Sequence, residues 1–226
     1  MSSGNGTRRV QVVAIGASAG GIEALRILVA GLPADFPAAV LVVLHLPAHG
    51  TSVLPQILDR AGSLRAVQAQ EGMAVEGGTI YVAPPDCHLL VEAHHVHLDH
   101  GAKSNGHRPA VDPLFRSVAA LYGFSAAGVV LSGVLDDGTA AGLMAIQQAG
   151  GLTLAQDSGE ALYDMMPRTA IEVVGPDHVG RRARAGAGAR SRGGAGGRGR
   201  RDTRPRRRQP AQRGLGPIVM MEASDG

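Results

Sequence analysis

One serine stands where a short apolar run gives way to small residues. Residues 10–15 are apolar except for Gln11 and mostly β-branched, which is typical of a buried strand. The loop 16–21 that follows has the sequence Gly-Ala-Ser-Ala-Gly-Gly. Apolar residues then recur at helical spacing from Ile22 to Val29. The start of such a helix presents unpaired N–H groups beside Ser18. These groups favour an oxyanion or a phosphate, so Ser18 is either a nucleophile or the serine of a phosphate loop.

The residue types at fixed positions of this loop distinguish a phosphate-binding loop from a nucleophile turn. A dinucleotide-binding loop needs glycine where Ser18 stands. A P-loop ends in Gly-Lys followed by Ser or Thr, whereas this loop ends in Gly20 and Gly21 without a lysine. Gly16, Ser18 and Gly20 match the Gly-x-Ser-x-Gly nucleophile elbow of esterases. A glycine-rich turn in which the serine only caps the helix remains the alternative.

Two other polar residues follow apolar runs. His45 comes directly after the run 39–44, and Asp137 comes shortly after the run 126–131. In an open parallel sheet, functional residues collect beyond the carboxyl ends of the strands. Ser18, His45 and Asp137 are therefore predicted to form a Ser-His-Asp triad.

Each member of this triad has a predicted role. His45 would take the proton of Ser18, Asp137 would fix the tautomer of His45, and the N–H groups of Ala19 and Gly20 would hold the oxyanion. The alternatives are a structural histidine and an ordinary turn aspartate. The chain order Ser-His-Asp differs from that of the α/β-hydrolases, which argues against an ordinary lipase or esterase.

Strand and helix patterns alternate along residues 10–180. The predicted strands are 10–15, 39–44, 79–83, 126–131 and 153–155, a hairpin covers 89–98, and helices follow the first strand and occupy 53–58, 112–123 and 138–149. A further short segment follows Pro167. This order predicts an α/β fold: a doubly wound, mainly parallel sheet with helices on both faces and an antiparallel hairpin.

Charge divides the chain into a body and a tail. Residues 181–226 hold 13 arginines against three acidic residues, a net charge of +10, whereas residues 1–180 carry −7. We expect a flexible N-terminus over 1–9, a catalytic domain over 10–180 and a disordered Arg/Gly-rich tail over 181–226. Such a tail can bind polyanions, but it lacks aromatic residues for stacking, so no specific nucleic-acid partner is predicted.

Other residue types restrict the compartment and the cofactors. A single Cys87 excludes an intramolecular disulfide, and no apolar stretch approaches the length of a membrane span, so a cytoplasmic protein is expected. His94, His95, His97 and His100 could suggest a metal site. They lie in the predicted hairpin without an identifiable further ligand, so we predict surface histidines, no metal site and no cofactor.

From residue 12 to about 179 the chain closely resembles the catalytic domain of chemotaxis protein-glutamate methylesterases of the CheB type. The resemblance rests on the blocks 16–21, 44–47, 80–88, 106–115, 131–142, 155–157 and 166–171. It implies a serine hydrolase that removes methyl groups from γ-glutamyl methyl esters on chemoreceptor signalling helices. Many members also deamidate receptor glutamines. The resemblance implies that the partner is the receptor. The protein would then associate with the membrane only indirectly, through the receptor.

The resemblance also carries over residue by residue. The nucleophile of the family falls on Ser18, its histidine on His45 and its aspartate on Asp137. Asp136 occupies a position where the family often has Asn, so the triad role is assigned to Asp137. These assignments agree with those made from the residues alone.

Several positions depart from the family pattern. Val134 stands where Met is common and Ala19 where Thr is common, and both changes could alter the pocket. Val134 and Arg108 are candidate substrate-binding residues, Arg108 either orienting an acidic receptor surface or forming a local salt bridge. Cys87, where the family often has Arg, is interpreted as structural.

The two ends of the chain depart as well. About ten residues precede the first strand, so we expect a stand-alone domain without a phosphoacceptor receiver domain or regulation in cis through one. The final strand and helix of the family should follow residues 177–179, where the Arg/Gly tract begins. That tract is either a divergent tail or a frame-shifted end. A frame-shifted end would leave the sheet without an edge element. The rival functions are a catalytically silent module that binds receptors or partners, and RNA binding by the tail.

Overall fold

The computed structural model describes residues 10–45, 52–134 and 138–180. The predicted N-terminal segment 1–9 and tail 181–226 lie outside these residues. Within the described ranges the chain forms, in order, β1 (Val12–Ala17), α1 (Gly21–Ala30), β2 (Ala39–Leu44), α2 (Leu54–Asp59), β3 (Arg65–Gln68), β4 (Thr79–Val82), β5 (His88–Glu92), β6 (His95–Asp99), α3 (Val111–Tyr122), a 3-10 turn (Gly123–Ser125), β7 (Ala126–Val130), α4 (Thr139–Gln148), β8 (Leu152–Gln156), α5 (Met165–Val174) and β9 (His178–Gly180).

A seven-stranded sheet forms the centre of the described chain. Its strand order is β3-β4-β2-β1-β7-β8-β9, and each neighbouring pair is parallel. Strands β5 and β6 form a separate antiparallel hairpin. The predicted fold class, a doubly wound and mainly parallel sheet with a hairpin, is confirmed.

Both faces of this sheet are covered. Val13 and Ile15 of β1 belong to an apolar cluster with Leu25 of α1, whereas Val12 and Ala14 belong to a second cluster with α3, α4 and α5. Every residue of β1 and of β2 is buried. Continuous apolar runs are therefore required in these central strands, because neither face meets water.

The strand order reverses at β1. The chain runs from β1 through α1 to β2 on one side, and β7 later pairs with the other side of β1. Such a reversal leaves a crevice outside the carboxyl ends of the two strands, where ligands of open α/β sheets usually bind. The candidate residues are expected at this crevice.

Some element boundaries differ from those predicted. The first strand extends to Ala17, because Gly16 and Ala17 still pair with Val43 and Leu44 of β2. The short edge strand β3 was not predicted. The segment around Pro167 is helix α5, in whose first turn a proline is tolerated.

The far edge of the sheet is occupied. Strand β9 pairs with β8 through His178, Val179 and Gly180. This edge strand precedes the Arg/Gly tract. The final strand and helix expected after residues 177–179 stay a prediction, because residues 181–226 lie outside the described residues. None of the helices in the described residues is long and apolar enough to cross a membrane.

Candidate active site

Ser18 lies in a tight turn between β1 and α1. Its N–H donates to the carbonyl of Ser132 over 2.9 Å, and its own carbonyl accepts from the N–H of Gly21 over 2.9 Å. Gly20 has φ of 73°, a left-handed conformation that glycine adopts without a steric penalty. The predicted strand–turn–helix context of the Gly-x-Ser-x-Gly motif is therefore present, with half-buried Ser18, Ala19 and Gly20 just before the first turn of α1.

His45 follows the neighbouring strand at the same register. Ala17 pairs with Leu44, and the N–H of His45 donates to the carbonyl of Ala17 over 3.2 Å. Because adjacent strands lie about 4.8 Å apart, the main chains of Ser18 and His45 are neighbours at the carboxyl edge. The Nδ1 atom of His45 is buried, while the residue as a whole is partly exposed.

A second histidine packs against His45. The rings of His45 and His107 are stacked, with centroids 4.2 Å apart and planes 12° apart. The backbone of His107 is held in a small bridge with Ser104, to which it donates over 2.9 Å and from which it accepts over 3.1 Å. His107 lies in the motif block 106–115, but the sequence analysis predicts no role for it.

Buried His88 supports the segment that carries His107. Its Nδ1 accepts from the N–H of Ala110 over 3.3 Å, and its Nε2 lies 3.1 Å from the carbonyl oxygen of Ala102. This pair of partners assigns the neutral tautomer with the proton on Nε2. His88 therefore holds the two ends of the loop 102–110 in place.

Ser132 connects the turn that carries Ser18 to the rest of this edge of the sheet. Its Oγ donates to the carbonyl of Ala19 over 2.9 Å and accepts from the N–H of Tyr163 over 3.0 Å. Its own N–H donates to Oε1 of Gln156 over 2.9 Å. Ser132 and Gln156 are both buried, so they fix the turn around Ser18 as a positioning network.

Gly133 is the point of closest packing behind the serine. A Cβ placed there would lie 2.9 Å from Cβ of Ser18 and would overlap Sδ of Met166. Its N–H donates to the carbonyl of Tyr163 over 3.0 Å, and its carbonyl accepts from Met166 over 3.1 Å. Only glycine allows these three segments to meet without a shift.

The predicted acid of the triad, Asp137, lies with Asp136 outside the described residues. The chain resumes at Gly138, with φ of 87°, immediately before α4. The role of Asp137 therefore stays a prediction.

Arg108, predicted as a substrate-binding candidate, makes local contacts. Its Nε and Nη2 donate to Oδ1 of Asp86 over 3.0 and 2.7 Å, and its Nη1 donates to the carbonyls of His100 and Gly101. The hydrogen bond from Arg108 lowers the pKa of Asp86 below its usual value and outweighs the opposing effect of desolvation. The local salt bridge is observed, and a role in substrate binding stays a prediction.

The histidines of the hairpin are distributed among separate partners. Nδ1 of His94 lies 3.3 Å from the Tyr122 hydroxyl, and Nδ1 of His97 lies 3.2 Å from Glu71. A hydrogen bond from the N–H of Leu98, followed by that from His97, lowers the pKa of Glu71. His95 contacts the carbonyl of Ala93 and His100 contacts Cys87, whose pKa is raised by burial. Among the described residues, no group of three or more His, Cys, Asp or Glu side chains could hold a metal ion.

The structure thus brings Ser18, His45, Ala19 and Gly20 to one edge of the sheet. Sequence reasoning missed the supporting roles of Ser132, Gln156 and His107. Ser132 could have been found by the rule that located His45, since it stands at the end of the apolar run that forms β7.

Comparison with known proteins agrees with this arrangement. The family model described as CheB methylesterase matches residues 13–185, which is more than half of the chain. The chain belongs to the CheB methylesterase family. The resemblance inferred from the motif blocks is thereby confirmed.

Individual relatives extend the comparison. A Methanosarcina mazei protein-glutamate methylesterase/protein-glutamine glutaminase 2 is 42% identical over 164 residues, covering 69% of this chain and 44% of that protein. The Xanthomonas oryzae protein of the same name is 41% identical over 185 residues, covering 77% of this chain and 51% of that protein. The chain thus spans about half the length of these curated relatives.

A solved structure matches the fold. The crystal structure of the Thermotoga maritima CheB methylesterase catalytic domain superimposes with a TM-score of 0.72 at 34% identity. The match covers 75% of this chain and 92% of that chain. The described α/β architecture is therefore that of a CheB catalytic domain.

Proposed function

We propose that this chain is a protein-glutamate methylesterase that hydrolyses γ-methyl esters of glutamyl side chains on the cytoplasmic helices of bacterial chemoreceptors. The observation that carries the proposal is the placement of Ser18 and His45. They follow two neighbouring parallel strands at the same register, at the crevice where the strand order reverses. Membership of the CheB methylesterase family supports the choice of substrate.

In the proposed acylation, the oxygen of Ser18 attacks the ester carbonyl carbon while His45 accepts the serine proton. The carbonyl oxygen becomes an oxyanion, to which the N–H groups of Ala19 and Gly20 donate. The intermediate collapses as the bond to the methoxy group breaks. His45 returns its proton to this leaving group, so methanol departs and a glutamyl ester of Ser18 remains.

Deacylation reverses these roles with water. His45 removes a proton from water, whose oxygen attacks the acyl carbon, and the bond to Ser18 then breaks. The proton on His45 returns to the oxygen of Ser18. The released carboxylic acid gives its remaining proton to the solvent, so the substrate leaves as a glutamate carboxylate. The sequence of steps needs neither a metal ion nor an organic cofactor.

Asp137 completes the proposed triad. The buried Nδ1 of His45 is the nitrogen that the tautomer-fixing partner of a triad contacts. Nε2 would then be the nitrogen that exchanges a proton with Ser18. We assign Asp137 to this partner on the basis of the family motif.

Deamidation of glutamine is a second activity of the same site. The relatives carry the name protein-glutamine glutaminase alongside the methylesterase name. A glutamine amide offers the same acyl carbon to Ser18, with ammonia leaving in place of methanol. The proposed roles of His45 and the oxyanion donors are unchanged.

Methanol release from methylated receptor membranes tests the proposal. The full chain should release methanol, and Ser18→Ala should not. Ser63→Ala, a change at an exposed serine between α2 and β3, is the matched control and should retain full release. Unimpaired release by Ser18→Ala would overturn the covalent mechanism. Membrane binding by the wild-type chain without methanol release would favour the silent binding module instead.

A further inference from the structure

An exposed apolar surface borders the turn that carries Ser18. It consists of Val134, Leu162, Tyr163 and Met165, whose exposed fractions are 37%, 74%, 45% and 43%. We call these four residues the apolar rim. The proposed chemistry of Ser18 and His45 does not use them, and contiguous exposed apolar residues commonly mark an interaction surface.

The rim lies directly beside the nucleophile turn. A Cβ on Gly20 would lie 2.9 Å from Cβ of Leu162, so Leu162 packs over the residue two positions after Ser18. The backbone carbonyl of Tyr163 accepts a hydrogen bond from the N–H of Gly133, which also packs behind Ser18. The rim and the nucleophile are thus parts of one packed unit.

Ser132 fixes the position of the rim relative to the nucleophile. Its hydroxyl donates to the carbonyl of Ala19 and accepts from the N–H of Tyr163. The same buried side chain therefore touches both segments, so a molecule resting on the rim is held in a defined position relative to Ser18.

We propose that the apolar rim is the docking surface for the helix that carries the substrate side chain. This inference rests on the proposed function. The acyl carbon of a glutamyl ester lies only three carbon–carbon bonds of about 1.5 Å each from its own Cα. A helix has a diameter of about 10 Å with its side chains, so a helix that delivers the ester to Ser18 must rest on the residues bordering it.

The chemistry of the rim also distinguishes substrate from product. A methyl ester is neutral and loses little when it is placed against Leu162 and Tyr163. A glutamate carboxylate is charged and loses more hydration than the ester when it is placed against these side chains. The rim therefore favours docking of the esterified helix and release of the hydrolysed one.

Leu162→Ser tests the docking surface, and Phe124→Ser is its matched control. Phe124 is 65% exposed and lies in the turn that precedes β7, at the end of the sheet opposite Ser18. Two substrates are compared for each variant: methylated receptor membranes, and p-nitrophenyl acetate, which has no helix. Leu162→Ser should raise KM for the membranes roughly tenfold, as expected from losing burial of one leucine, with p-nitrophenyl acetate hydrolysis unchanged.

The remaining outcomes decide between explanations. Leu162→Met, which keeps an apolar side chain, should restore a KM close to that of the wild type. An unchanged membrane KM for Leu162→Ser would overturn the docking surface while leaving the proposed function intact. An equal loss on both substrates would overturn it as well, by showing that Leu162 acts on the reacting groups. Inactivity of the wild-type chain on both substrates would instead overturn the proposed function, and this inference with it.

Discussion

The imidazole ring of His107 lies flat against that of His45, with 4.2 Å between the ring centroids. The contact joins the end of β2 to a loop more than sixty residues later in the sequence. That loop is held by its own backbone bridge and by the buried His88. One face of the proposed general base therefore rests on a fixed planar surface.

His107→Ala should lower kcat roughly ten- to a hundredfold, because a small displacement of His45 would misalign it with Ser18. His107→Phe keeps a flat ring and should recover most of the activity. Both variants are compared with His95→Ala, an exposed hairpin residue, in steady-state hydrolysis of p-nitrophenyl acetate. If Phe is as damaging as Ala, the polar atoms of His107 rather than its stacking would be required.

Ser132→Ala should weaken both the fold and the turnover. It removes the donor to the carbonyl of Ala19 and the acceptor for the N–H of Tyr163. An unpaired polar group costs about 1–3 kcal/mol where it is buried, and these two hydrogen bonds are partly buried. Urea unfolding would measure the stability loss, and kcat on p-nitrophenyl acetate would measure the displacement of the turn that carries Ser18. Ser63→Ala supplies the baseline, and a variant that matched it in both measurements would contradict the positioning role.

Gly133→Ala should impair catalysis because the new methyl group would press on Ser18. The added Cβ lies 2.9 Å from Cβ of Ser18 and overlaps the sulfur of Met166. Overpacking of this kind costs about 1–3 kcal/mol, and any relief of the overlap displaces Ser18 or the start of α5. The control is Gly31→Ala at the end of α1, where the added Cβ meets only the carbonyl oxygens of Leu28 at 3.4 Å and Ile27 at 3.8 Å. Thermal unfolding and kcat should both fall for the first variant and remain near wild type for the second.

The sequence predicts central elements better than edge elements, for a physical reason. The predicted strand 39–44 has the bounds of β2, because a strand buried on both faces needs an unbroken apolar run. Strand β3 lies at the edge with Arg65 and Gln68 exposed, so its composition carries no such run. Its place in the sheet depends on pairing with β4, which no local pattern reveals.

The same distinction applies to the site. Ser18 and His45 could be placed because each ends a recognisable strand. The stacking of His107 and the exposure of Leu162 depend on how loops return to the sheet, and loops show no periodicity. The sequence allows Arg108 to be either a receptor contact or part of a local ion pair. Only the folded chain reveals its hydrogen bonds to Asp86.

The ion pair between Asp86 and Arg108 should make stability depend on pH in the acidic range. The hydrogen bond from Arg108 lowers the pKa of Asp86 in the folded state, so folding favours the ionised carboxylate. This contribution is fully present above the unfolded-state pKa of about 4 and is lost as the pH falls through the lower folded-state pKa. Asp86→Asn is suitable because asparagine also tolerates the left-handed φ of 60° at this position.

The unfolding free energies of the wild type and Asp86→Asn should therefore differ more at pH 7 than at pH 3. Urea unfolding at the two pH values measures this difference. A gap of the same size at both would mean that ionisation of Asp86 contributes nothing to folding.

We expect that the chain can be shortened to the end of β9 without loss of the folded domain. The carbonyl of Gly180 accepts from the N–H of Asp157 over 2.8 Å, and Asp177 accepts from both the N–H and the hydroxyl of Thr153. Asp157 begins the loop that carries Leu162 and Tyr163 of the apolar rim. A chain ending at Gly180 should keep its esterase activity, whereas a chain ending at Gly175 loses β9 and the anchor of that loop.

Activity on receptor membranes and binding to heparin distinguish the two shortened chains. The chain ending at Gly180 should match the full chain in kcat and KM. It should lose the salt-sensitive heparin binding that the 13 arginines of residues 181–226 are expected to provide. The chain ending at Gly175 should show a higher KM and a lower unfolding midpoint, because β8 loses its partner β9 and becomes the edge strand of the sheet. Loss of activity already at Gly180 would place part of the catalytic unit in residues 181–226 and would overturn the domain boundary at 180.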